Sequence, residues 1–246
     1  MLSTIHIILG AVCLVLMTVA GEAAQPATNA QKPCVFDKTI HKKVHLGYLL
    51  YLPVDYGKDK SKQWPLVLFL HGAGERGDDI SKVAYLGPPA MVAAGRQFPF
   101  ILVSPQCPQD SWWDRETDTL SALLDEIESK YHVDKSRVYL TGLSMGGYGT
   151  WALATMEPKR FAAIAPICGA GNPNRAALIK DIPTWVFHGD KDDVVPLAKS
   201  QEMVDAIKAA GGNPKFTIYP GVGHDSWTAT YNNEEFWKWL LGQKRK

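Results

Sequence analysis

Five residues, Gly142-Leu143-Ser144-Met145-Gly146, constrain this chain more than any other stretch. Before them runs Arg137-Val138-Tyr139-Leu140-Thr141, which reads as a buried strand rich in β-branched and apolar residues. After them comes Gly147-Tyr148-Gly149-Thr150-Trp151-Ala152-Leu153-Ala154, which reads as a helix start. A strand that turns into a helix over so few residues holds its central residue on a strained turn. The residues two before and two after it must then lack a large side chain. Gly142 and Gly146 meet that need. Strand, G-x-S-x-G, helix is the context of a nucleophile elbow, with Ser144 at its tip. The bland alternative, a chance glycine-rich turn, has no use for such flanks.

The rest of the chain alternates strands with helices. Val44 to Leu52 is read as a strand, with 35–40 as its hairpin partner. Pro65 to His71 and Phe98 to Ser104 are continuous apolar runs, the mark of strands buried on both faces of a parallel sheet. Thr117 to Tyr131 carries apolar residues at helical spacing, Leu120, Leu123, Leu124, Ile127 and Tyr131. Ser81 to Ala94 is weakly helical and broken by Gly87-Pro88-Pro89. Beyond the elbow come strands at Phe161 to Ile167, Ile182 to His188 and Lys215 to Tyr219, with helices at Pro196 to Ala210 and Asn233 to Leu241. The expectation is a mostly parallel, eight-stranded α/β sheet with helices on both faces and an antiparallel pair at the start.

Composition narrows the partners. A net charge of +1 over 246 residues gives no reason to expect a nucleic-acid or strongly acidic partner. Ile7 to Ala20 is almost wholly apolar, and Ala20-Gly21-Glu22-Ala23-Ala24 offers small residues suited to cleavage. Residues 1–24 are therefore read as a secretory signal peptide, 25–33 as a linker and 34–246 as one catalytic domain. That predicts export, to the periplasm or outside the cell, with no stable membrane association after cleavage. No Lys or Arg precedes Lys32, so a short N-terminal membrane anchor is the alternative. After cleavage Cys34, Cys107 and Cys168 remain, an odd number that allows at most one internal disulfide. Whether Cys107 and Cys168 pair is left open.

Parallel α/β sheets carry their sites at the carboxyl ends of strands. Four such ends bear reactive residues: His71 to Gly77, Ser144, His188 to Pro196, and Gly221 to Trp227. A serine hydroxyl needs an adjacent base to act as a nucleophile. Imidazole suits that task near neutral pH, and a carboxylate must hold the imidazole in the right tautomer. In chain order these are Ser144, an aspartate among 190–193, and His224. His71 and His188 close apolar strands and read as packed strand-end residues. Asp190 and Asp193 suit turn or helix-cap roles. Glu75, Trp112, Trp113 and Trp227 are candidates for contact with substrate, against a default of loop or packing residues. No H-E-x-x-H, paired C-x-x-C or P-loop lysine appears, so neither metal nor cofactor is expected.

Together these segments resemble the α/β-hydrolase superfamily of serine hydrolases. Within it the chain is similar to secreted carboxylesterases of the phospholipase/carboxylesterase and dienelactone-hydrolase-like group, often labelled prolyl-oligopeptidase-like. The resemblance covers about Tyr48 to Leu241. It is carried by His71-Gly72-Ala73-Gly74, Gly142-Leu143-Ser144-Met145-Gly146-Gly147 and Gly223-His224-Asp225, in that order. It implies the α/β-hydrolase fold and assigns the acid of an H-G-x-x-D-x-x-V-P pattern to Asp192. The oxyanion donors are implied to be the backbone amides of Ala73 and Met145. Many relatives insert a cap domain between the sixth and seventh strands, and only Ile167 to Asp181 is available here. An open site is expected, suited to a small ester or an ester on a polysaccharide rather than to a lipid under a lid. The reaction expected is ester hydrolysis through an acyl-enzyme. A peptidase or amidase acting on short peptides and a non-catalytic binder of the same fold are the rivals.

Overall fold

The computed structural model describes residues 35–39 and 42–245. The expected signal peptide and linker, and Cys34, lie outside the described residues. Seven strands form one sheet: β1 (Tyr48–Tyr51), β2 (Trp64–Leu70), β3 (Ile101–Pro105), β4 (Val133–Leu143), β5 (Ala163–Ile167), β6 (Trp185–Gly189) and β7 (Lys215–Tyr219). Their order is β1-β3-β2-β4-β5-β6-β7. Only β1 runs antiparallel, pairing with β3, and every other pair is parallel. Among the described residues the count is seven, one short of the eight expected. Residues 35–39 carry no strand. Val35 and Phe36 are almost fully exposed, so nothing there is buried that would fix a register. β1 takes its antiparallel partner from β3 instead.

The sheet separates two cores. Along β2, Leu66, Leu68 and Leu70 face one way and Val67 and Phe69 the other, the period of two that a strand imposes. On the first face lie α2 (Thr117–Lys130), α3 (Met145–Met156) and α4 (Ala198–Ala209), through residues such as Leu124, Trp151 and Met203. On the second lie α1 (Gly87–Ala93), α5 (Trp227–Tyr231) and α6 (Glu234–Gly242), through Val92, Tyr231 and Trp237. Between β5 and β6 the one helical segment is a short 3-10 helix, Pro173–Ile179, and no cap domain is present among the described residues.

Two features set the site. β2 lies between β3 and β4, so the crossover from β3 to β4 passes over it and the strand order reverses there. Ligands in open α/β sheets bind outside the carboxyl ends of strands at such a reversal. At the end of β4 the chain turns at Ser144 (φ 52°, ψ −117°) and enters α3 at once. A methyl group on Gly146 would overlap the carbonyl of Leu70, and one on Gly142 would overlap the carbonyl of Gly146. The steric demand read from the sequence is thus met by contact of the elbow with itself and with β2.

Candidate active site

Ser144 is brought into line with residues from two distant loops. Its Oγ lies 2.9 Å from His224 Nε2, and His224 Nδ1 lies 2.8 Å from Asp192 Oδ2. Asp192 leaves β6 four residues after His188, and His224 follows β7. The Asp192 side chain is fully shielded from solvent, whereas that of His224 is 20% exposed. Burial by itself would raise the Asp192 carboxyl. The hydrogen bond from His224 and the backbone N–H groups of Val195 and Val194 outweigh it and hold the carboxyl below its ordinary value. An ionised Asp192 only accepts, so Nδ1–H of His224 donates to it and Nε2 is left to accept from the Ser144 hydroxyl.

The competing aspartates are occupied elsewhere. Asp190 Oδ1 accepts the N–H of Gly221 at 2.7 Å and so ties the β6 loop to the β7 loop. Asp193 is exposed and does not cap α4, whose N-cap is Leu197. Capping within this loop falls to Asp192, whose Oδ1 accepts from Val194 and Val195.

On the other side of Ser144 runs the loop after β2. Ala73 opens the 3-10 helix Ala73–Glu75, and Met145 opens α3. The first amides of a helix have no intrahelical acceptor, and the positive end of the helix dipole faces outward there. A Cβ on Gly72 would stand 3.9 Å from the Cβ of Ser144, so this loop passes directly beside the serine. Ala73 and Met145 both line a cleft of about 500 Å³, with Trp112, Trp113, Tyr148 and Val194 among its other walls.

The candidate substrate residues divide. Trp112 is 41% exposed at the rim. The Arg76 guanidinium lies 5.0 Å from its ring centroid, while Arg76 Nε donates to the carbonyl of Ala73 at 3.0 Å. Trp113 reaches the cleft floor but is shielded from solvent, and its indole N–H donates to the carbonyl of His71 at 2.9 Å. Glu75 is buried behind the loop and is not among the residues lining the cleft. Burial raises its carboxyl pKa against the opposing pull of the Glu75 and Gly72 amides. Trp227 does not line the cleft either. It packs edge-to-face on His224, with ring centroids 5.3 Å apart. Tyr148 was not singled out from the sequence. Its spacing is the signal, since the residue four after Ser144 lies on the same helix face one turn on.

Two buried histidines brace the strand ends. His71 Nε2 accepts the N–H of Cys107 at 3.0 Å, and Nδ1 lies 2.6 Å from the carbonyl of Gly72. Burial drives its pKa from 6.5 to about 4, so it is neutral at working pH. Cys107 and Cys168 are free, and burial pushes each thiol up to about 12, which leaves them unreactive. Cys168, Asp192 and His224 offer ligand-type atoms within 4.8 Å of one another. His224 Nδ1 and Asp192 Oδ2, 2.8 Å apart, are already joined to each other by a hydrogen bond. A metal there would have to break that hydrogen bond.

The pattern of the phospholipase/carboxylesterase family matches residues 54–233. A probable feruloyl esterase C of Aspergillus terreus is 27% identical over 175 residues, 67% of this chain and 62% of that protein. A bifunctional acetylxylan esterase/xylanase of Neocallimastix patriciarum is 33% identical over 89 residues, 35% of this chain and 13% of that protein. The crystal structure of a thermostable esterase, 35% identical, superposes with a TM-score of 0.73 over 82% of this chain and 60% of that one. The chain therefore spans less than two thirds of the length of each of these three relatives. A ferulic acid esterase structure, 22% identical with a TM-score of 0.59, shares the fold. With the family match running from before β2 through the elbow and the loops of Asp192 and His224, the chain belongs to the phospholipase/carboxylesterase family of α/β-hydrolases.

Proposed function

We propose that this chain is an exported serine esterase that hydrolyses carboxylic esters through an acyl-enzyme. Short-chain and aromatic-acid esters are its substrates, including acetyl or feruloyl groups on polysaccharide. The observation that carries the reading is the hydrogen-bonded line Ser144–His224–Asp192, ending on an elbow that opens into a cleft.

The chemistry follows from that line. Ser144 Oγ attacks the ester carbonyl while His224 Nε2 takes its proton. Asp192 stays ionised and stabilises the imidazolium. The amides of Ala73 and Met145 donate to the oxyanion, whose charge is further favoured at the start of α3. The imidazolium then protonates the leaving alcohol. Water enters, gives its proton to His224 and releases the acid from Ser144. No cofactor is required.

The substrate class is supported by the cleft and by the names of two relatives, feruloyl esterase C and acetylxylan esterase. About 500 Å³ suits a ring or a short chain, and the exposed face of Trp112 offers a flat surface to an aromatic or a sugar. Export is supported by residues 1–24.

The test is Ser144→Ala, assayed on nitrophenyl, feruloyl and acetyl-sugar esters and with a fluorophosphonate probe. The variant should stay folded, lose probe labelling and keep only a residual rate of ~10³ over water. Near-wild-type turnover would remove the serine from the mechanism. A higher kcat/KM for ~C12–C16 than for ~C2–C4 esters would remove the substrate class, since a long acyl chain needs an extended apolar groove.

A further inference from the structure

His188, at the end of β6, is fully buried, as packing would require. Its ring is nevertheless polar on both edges. Nε2 lies 2.8 Å from the carbonyl oxygen of Val195 and 3.1 Å from Asp192 Oδ2. A carbonyl oxygen only accepts, so Nε2 carries a proton and donates it to Val195, with the carboxylate at ion-pair distance from the same nitrogen. Nδ1 lies 2.8 Å from Ser200 Oγ on α4, which in turn lies 3.2 Å from the carbonyl of Gly169.

Asp192 is therefore held at both oxygens. Oδ1 accepts from Val194 at 3.0 Å and Val195 at 2.9 Å. Oδ2 accepts from His224 at 2.8 Å, and His188 Nε2, whose N–H goes to the Val195 carbonyl, stands 3.1 Å from the same oxygen. Val195 gives its N–H to Asp192 and its carbonyl to His188, which closes a ring of three residues. In a side chain with no solvent contact, a carboxylate oxygen that loses a donor has no water to replace it, so it turns to find another.

We propose that His188 is a positioning residue for Asp192: its N–H holds the Val195 carbonyl, so that the Val195 N–H fixes Oδ1 and leaves Oδ2 to meet His224 Nδ1, and Ser200 anchors the ring from α4. This rests on reading Ser144, His224 and Asp192 as the catalytic triad. It adds a second histidine on the opposite side of the same carboxylate, one that touches no substrate.

The experiment compares His188→Leu, which removes both hydrogen bonds, with His188→Gln, which returns an N–H donor. Readouts are kcat, KM and the far-downfield proton resonance of the His224 Nδ1–H. His188→Leu should lower kcat by ~10–100-fold, the usual cost of losing a group that orients a functional residue, with little change in KM. It should also shift or abolish the resonance. His188→Gln should restore most of both. A folded His188→Leu with wild-type kcat and an unmoved resonance overturns the proposal. Equal impairment of the two variants also overturns it, because bulk and not the N–H would then be what matters. Should His188→Leu fail to fold, Ser200→Ala loosens only the far edge. A smaller kcat loss with a shifted resonance supports the proposal, and no change in either overturns it. Ser144→Ala runs in the same assay. If it retains activity, the triad reading falls and this proposal with it. If it is dead while His188→Leu matches wild type, only this proposal falls.

Discussion

On the β2 side of Ser144 the groups behind and along the cleft wall include several that are buried, where burial works against the charged form. His71 accepts from Cys107, Trp113 donates to the His71 carbonyl, and burial favours the uncharged form of Glu75. On the β6–β7 side the geometry runs through a charge. Three donors converge on the ionised Asp192, one of them His224, and a second histidine stands 3.1 Å from it. The loops flank the same serine and differ in what can disturb them. A change on the first side should be felt mainly as stability, because buried polar groups lose their partners. A change on the second should be felt mainly as rate, because one proton position decides whether His224 accepts from Ser144.

The strongest way to break this contrast is Asp192→Asn. The amide keeps the shape but permits the wrong histidine tautomer, which costs ~10⁴ in kcat in the best-studied triad. We expect a loss of several orders of magnitude with little loss of fold, read as kcat beside circular dichroism. Asp190→Asn and Asp193→Asn should change kcat far less. If either of those is the dead variant, the charged side has been drawn around the wrong carboxylate.

Acid separates the two sides next. The unfolded His71 binds a proton near pH 6.5 and the folded one only near 4. Stability therefore drains as pH falls from 6.5 to about 4, by roughly 3 kcal/mol in total. Asp192, with its folded pKa below 3.8, contributes stability that is present above that value and lost below it. Glu75 works the other way, since its raised carboxyl gains stability as pH falls. Urea unfolding of wild type and His71→Gln at pH 6.5 and pH 4 isolates the first effect. The variant should be less stable at pH 6.5 and show a clearly shallower loss. Equal losses in the two proteins would mean that the β2 side is not what acid attacks first.

The smallest expected effect is that of Trp113→Phe, which leaves the His71 carbonyl without its indole donor. Stability should fall by about 1–2 kcal/mol, read from urea midpoints, while kcat on a short ester changes far less than in Asp192→Asn. A loss of rate as large as that of Asp192→Asn would erase the contrast.

What the sequence could reveal follows the same division. Ser144, Asp192 and His224 were legible because each sits in a short pattern at a strand end, and the structure joins them at hydrogen-bond distance. β2 and β3 were legible as unbroken apolar runs. The start of β4 was not, since Asp134, Lys135 and Ser136 are polar and the pairing with β2 is interrupted between Val133 and Val138. Over 35–39 the expected partner strand does not form, and Val35 and Phe36 are exposed. The roles of Trp113, Trp227, Glu75 and His188 depend on which way a side chain turns in a packed core. No local spacing encodes that: Trp112 and Trp113 line the cleft, while Glu75 is buried and Trp227 packs on His224.

The brevity of the segment between β5 and β6 reaches into kinetics. Enzymes with a mobile cover rest closed, and they gain rate when a surface or a bound substrate pulls the cover aside. Among the described residues, the segment between β5 and β6 puts nothing comparable over the cleft beside Ser144. Rate should climb smoothly with substrate and show no jump at an oil–water boundary. Product should leave by diffusion, so the slow step falls on making or breaking the acyl bond. An ester attached midway along a polymer can reach the serine sideways, without an end to thread.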